Sequence, residues 1–114
     1  MDNKQDEQEC LPELQEAMHQ EYGMLSPSAV FAEWREQLIW EINRLIKNDF
    51  HLLASSLYRL DVSESKLKYL LDQNRSENAA PIIADLIIER QVEKIKSRRL
   101  FSRRDNNISE EDKW

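Results

Sequence analysis

The stretch at residues 26–47 reads SPSAVFAEWREQLIWEINRLIK, and its periodicity decides the fold class. On a helical wheel of about 100° per residue, Val30, Phe31, Trp34, Leu38, Ile39, Ile42, Leu45 and Ile46 fill one half. Apolar residues recurring at three- and four-residue intervals mark a helix with one face on a core. Ser26-Pro27-Ser28 supplies start signals, and Asn48-Asp49 ends the pattern just after Lys47. Trp40 falls outside the apolar half, near Glu33, Glu36 and Lys47. An indole alone on a polar face either lies over its neighbours or marks a partner contact.

The same pattern continues toward the C-terminus. Asp49 suits the N-cap of a helix from Phe50 to Leu60, whose expected buried side carries Phe50, Leu53, Ala54, Leu57, Tyr58 and Leu60. Asp61-Val62-Ser63 is a tight connection, and Ser63 caps a helix to about Gln73 with Leu67, Leu70 and Leu71 as its core residues. A polar loop, residues 74–78, leads to Asn78 as the cap of a last helix, with Pro81 in its first turn. There Ile82, Ile83, Leu86, Ile87 and Ile88 cover most of the circumference and leave Asp85 and Glu89 on a narrow side. A helix apolar nearly all round is either central in its fold or shared with a second subunit. We expect the second, with Ile82, Ile83, Leu86 and Ile87 as the subunit seam.

Toward the N-terminus, a short helix is predicted from about Pro12 to Tyr22, with Leu11, Leu14, Met18 and Tyr22 as its stripe. Gly23 is placed to be its left-handed cap, with Met24 supplying the hydrophobic contact. So short a helix must dock on something. With one Gly and three Pro in 114 residues, hairpin turns are scarce, and the chain reads as all-α. The expected architecture is a small bundle of four main helices plus the short N-terminal one. Residues 11–104 form a single domain, between a disordered acidic N-terminus at 1–10 and a disordered acidic tail at 105–114.

Charge is unevenly placed. Residues 1–21 hold seven carboxylates against Lys4, and residues 105–114 hold four against Lys113. With a net charge of −6, the middle of the chain must carry a balance of +3. No run of 18 apolar residues could span a bilayer, and Met1–Asp6 lacks the basic start and apolar core of a signal peptide. A cytoplasmic protein is expected. Cys10 is the only cysteine, so no intramolecular disulfide can form, and no Cys/His spacing suggests zinc.

Catalytic constellations are equally thin. Glu16 and His19 make one Glu-x-x-His, whereas bundle di-iron sites need two such pairs and two further inward glutamates. His51 and Tyr58 share an edge of one helix, which reads either as a proton-relay pair or as a rim histidine packed on its neighbour. We expect no enzyme activity, no metal and no cofactor.

Two features bear on nucleic acid. Leu57–Leu71 carries Leu60, Val62, Leu67 and Leu70 at the apolar positions of a helix-turn-helix, but Asp61 stands where the turn prefers Gly and the second helix is nearly neutral. The run of Lys94, Lys96, Arg98, Arg99, Arg103 and Arg104, with Phe101 among them, could neutralise several phosphates. It reads equally as cations complementing a helix C-terminus, or as partners for the acidic ends of the same or a neighbouring chain. As a membrane anchor it offers too little apolar area, with only Leu100 and Phe101 beyond Ile95.

Leu57–Leu71 and Leu86–Arg98 together resemble a small all-helical bacterial protein family of unassigned activity, over about residues 35–101. The resemblance implies a cytosolic bacterial protein and carries over no catalytic or ligand residue. The expected function is therefore non-catalytic: an adaptor- or scaffold-like protein acting through protein contacts, as a homodimer. The alternative is a nucleic-acid-associated protein using Lys94 to Arg104.

Overall fold

A 29-residue helix organises the molecule. The computed structural model describes residues 3–23, 28–74 and 78–107, and six helices occur among them with no strand. They are α1 (Asn3–Glu9), α2 (Leu11–Tyr22), α3 (Phe31–Asn48), α4 (Phe50–Arg59), α5 (Glu64–Gln73) and α6 (Ala79–Asn107). At 1.5 Å per residue α6 is about 43 Å long, which exceeds both short extents of the 54 × 31 × 29 Å molecule, so it runs along the long axis. It packs most extensively on α3 and also meets α5, α2 and α1, while α4 lies on α3.

The helix ends follow their side chains. Asp49 Oδ1 accepts from Leu52 N at 3.1 Å, Ser63 Oγ from Lys66 N at 3.2 Å, and Asn78 Oδ1 from Ala80 N at 3.2 Å. Each satisfies a donor that the first helical turn leaves orphaned. Gly23 ends α2 at φ +72°, the left-handed conformation a side chain would strain. The N-terminus of α3 differs from expectation. Ser26 and Pro27 lie outside the described residues, and the helix begins at Phe31 after an extended Val30. Ser28 Oγ instead accepts from Val30 N at 3.2 Å, and the first helical donor, Phe31 N, goes to Gln8 Oε1 of α1 at 3.0 Å.

That contact explains α1, a helix where disorder was expected. It has no apolar stripe to bury, and polar groups dock it. Gln8 Nε2 donates to Ala29 O at 3.0 Å, and Lys96 of α6 donates to Asp6 at 2.9 Å. Residues 1–2 and 108–114 of the acidic ends lie outside the described residues, while 105–107 continue α6.

The core joins Leu11, Leu14 and Met18 of α2, Trp34, Leu38, Ile42 and Leu45 of α3, and Ile83, Ala84, Ile87, Ile88 and Ile95 of α6. Two faces depart from the sequence reading. On α4 the inward stripe is Leu53, Ser56 and Leu60, leaving Phe50, Ala54 and Tyr58 exposed. The rotation is held by Ser56, whose hydroxyl donates to Leu53 O at 2.8 Å and lies 2.7 Å from Tyr22 Oη. On α5, Leu67, Leu70 and Leu71 are only half-buried, because that helix caps the flank of α6 rather than entering the core.

A candidate protein-binding groove

The floor of an open groove is built by α6. Ile82, Leu86, Glu89, Glu93 and Lys96 recur at alternating spacings of four and three, which places them on one stripe of α6, with Leu86 its buried member. The N-terminal turns of α3 form one wall with Phe31, Ala32 and Arg35. Lys66 and Leu70 of α5 form the other, and α1 closes one end with Asp6, Glu7 and Gln8. The resulting groove is open and has a volume of about 1210 Å³. Val30, Phe31, Leu70, Ile82, Leu86 and Val92 give it an apolar base. Phe31 leans on the buried Trp34 with ring centroids 6.0 Å apart, so this part of the wall is continuous with the core.

The rim is charged and unbalanced. Six carboxylates (Asp6, Glu7, Glu36, Asp85, Glu89 and Glu93) face three cations (Arg35, Lys66 and Lys96), an excess of three negative charges. Each cation is already held. Arg35 makes two hydrogen bonds to Asp85 at 2.8 and 3.0 Å, Lys66 reaches Glu89 at 2.8 Å, and Lys96 reaches Asp6 at 2.9 Å. The hydrogen bond that Arg35 donates to Asp85 is the main cause that raises the Arg35 pKa, and those to Glu89 and Asp6 do the same for the two lysines. Arg90, outside the lining, also holds Glu93 at 3.2 Å, so the groove has an acid-rich rim, most of it ion-paired, around an apolar base.

The predicted seam takes a different place. Ile83, Leu86 and Ile87 are 4%, 6% and 0% exposed, enclosed by the helices of a single chain. The all-round apolar character of α6 reflects its central position, flanked by α2, α3 and α5. Only Ile82 of the four is half-buried, and it joins Leu86 in lining the groove. Trp40 is 64% exposed on α3 and lines no part of it.

The basic run is divided. Lys96 is committed to Asp6, and Arg99 donates to Glu13 at 2.7 Å, so the acidic N-terminal helices of the same chain take two of its cations. The Arg99 hydrogen bond holds the Glu13 carboxyl below its ordinary pKa. Lys94 and Arg98 have no ion pair among the described residues. Beyond them Leu100 and Phe101 are 54% and 59% exposed, because α6 there runs past the helices that cover it. The side chains of Arg103 and Arg104 lie outside the described residues, although the helix continues through them.

The α4–α5 connection has one helix-turn-helix trait, Asp61 at φ +66° where that pattern uses Gly. Its geometry is set by Arg90, which donates to Asp61 Oδ2 at 2.7 Å and to Asp61 O at 3.2 Å. This pairing lowers the Asp61 pKa. On α5 two acids balance two lysines, and Lys66 is spent on Glu89, so the would-be recognition helix adds no positive field.

His19, His51 and Tyr58 are all exposed, and no group of three potential metal ligands occurs among the described residues. Cys10 is buried, and burial pushes its thiol above the ordinary value. Among the described residues no helix is long and apolar enough to cross a membrane. No protein-family model matches the chain, and neither a curated protein nor a solved structure matches it.

Sequence reasoning missed the groove because its parts lie far apart in the chain. Asp6 and Lys96 are 90 positions apart and Arg35 and Asp85 are 50 apart. The available signal was the pairing of an acidic N-terminus with a basic last helix.

Proposed function

We propose that the protein acts through protein contacts rather than catalysis, as a cytoplasmic homodimer of adaptor or scaffold type, with the α6 groove as its contact surface. One observation carries this reading: an apolar base inside an acid-rich rim. Its volume of about 1210 Å³ is above the range of about 300–1,000 Å³ common for small-ligand pockets, and the site is open along its length. Such a surface suits an amphipathic helix laid along it. The interface expected at Ile83 and Ile87 moves to the side of α6 that the core leaves uncovered.

The test is sedimentation equilibrium of wild type and of Ile82→Glu, which places a charge on the half-buried groove floor. A dimer at tens of micromolar that the substitution dissociates, with helical content retained by circular dichroism, is the expected result. A wild-type chain that stays monomeric removes the homodimer.

A further inference from the structure

The stripe that floors the groove does not stop where the globule stops. Stepping along α6 from Ile82 through Leu86, Glu89, Glu93 and Lys96, the next residue on that line is Leu100. It is more than half exposed, as is Phe101 beside it. The overhang from Leu100 to Asn107 is eight residues, about 12 Å of helix about 10 Å across, or roughly 900 Å³, comparable with the groove. Its charge is opposite in sign to that of the rim: in sequence Arg103 and Arg104 outnumber Asp105, and Arg98 precedes the overhang, while Arg99 is held by Glu13.

We infer that the groove is occupied by the overhanging end of α6 from a second copy of this chain, each copy laying Leu100 and Phe101 over the other's Ile82 and Leu86. This rests on the groove being a protein-binding surface and adds the identity of its occupant. Two α6 helices side by side and antiparallel bring each basic end over the acid-rich rim of the other's groove. The arrangement has twofold symmetry and buries both overhangs in one interface. The chain's overall charge of −6 opposes self-association, but beyond about 8 Å at physiological salt that repulsion is screened, while the paired patches are in contact.

The experiment uses two full-length variants. L100E/F101E destroys the overhang's apolar face and leaves the groove intact, whereas Ile82→Glu does the reverse. Because Leu100 and Phe101 are exposed, their replacement leaves the fold unchanged. Self-association should weaken at least about a thousandfold in L100E/F101E, since each apolar side chain lost from the interface removes about tenfold or more. Mixing the two variants at about 200 µM should restore a heterodimer, held by the intact overhang of one chain in the intact groove of the other, which sedimentation resolves if one chain carries a fluorophore. A dimer that persists in L100E/F101E while Ile82→Glu dissociates overturns the assignment of the occupant and leaves the groove as the interface. Two monomeric variants that form no complex on mixing also overturn it. A monomeric wild type removes both proposals.

Discussion

Replacing Ile87 with Ala asks whether α6 is buried by its own chain. Ile87 is fully enclosed in the first third of α6, in the core that α6 shares with α2 and α3. The substitution removes three carbons, about 2.4 kcal/mol of transfer free energy at about 0.8 kcal/mol each. The cavity adds a further contribution, and large-to-Ala changes in cores lie at about 2–5 kcal/mol overall. Alanine's better helix propensity returns a few tenths of a kcal/mol. The expected loss is about 3 kcal/mol. With an m-value of about 1.5 kcal/mol/M for a chain of this size, the urea midpoint falls by roughly 2 M. The diagnostic measurement is urea unfolding of both proteins at two concentrations about a hundredfold apart, followed by circular dichroism. If one chain encloses Ile87, the difference between mutant and wild type is the same at both concentrations, whatever dimerisation adds to each. If Ile87 lay at a subunit seam, the difference would shrink toward zero at the dilution where both are monomers. That outcome, or a loss under about 1 kcal/mol, would refute the central placement of α6.

Two further substitutions test local physics. Gly23→Ala should cost about 1 kcal/mol, read as a lower Tm, from backbone strain alone, since the nearest atom to an added Cβ is His19 O at an unstrained 3.8 Å. Tyr22→Phe concerns alkaline stability. Burial is the main cause that raises the phenol's pKa above 10.0, although the Ser56 hydrogen bond opposes it. Because the native state holds this proton more tightly than the unfolded chain, the group's contribution is complete below the unfolded pKa and is lost as pH rises through the folded one. Wild-type Tm should therefore drop more steeply than that of Tyr22→Phe as pH is raised from about 9 to 11. The phenylalanine variant should be less stable near neutrality by about 1 kcal/mol, the lost Tyr22–Ser56 hydrogen bond.

The helices themselves were legible because their signals are local. Asp49, Ser63 and Asn78 each cap the helix that their type and position announced, and Gly23 takes the left-handed conformation expected of it. What was not legible was which face each helix turns inward. On α4 the apolar residues spread over both sides, and the inward stripe of Leu53, Ser56 and Leu60 runs through a polar residue that periodicity does not select. The choice falls to Ser56 pairing with Tyr22, a contact between residues 34 positions apart. Glu41 shows the same limit. It is a carboxylate beside the apolar face of α3, yet it is 2% exposed. Arg44 makes this burial possible, with its Nη2 2.6 Å from Glu41 Oε2 one turn away.

The misplaced seam and the groove have one cause. An apolar circumference on α6 was read as surplus, more than one chain could cover, whereas three helices of the same chain cover it. What remains uncovered is narrower: the strip from Ile82 to Lys96, and its continuation at Leu100 and Phe101. In the proposed dimer, a strip that is apolar and acid-rich over the body of the molecule, and followed in sequence by Arg103 and Arg104, is self-complementary only when the second copy runs the other way. A parallel pair would set acidic against acidic and basic against basic along the whole contact. In the self-association proposed above, the charge asymmetry of α6 therefore selects the antiparallel orientation.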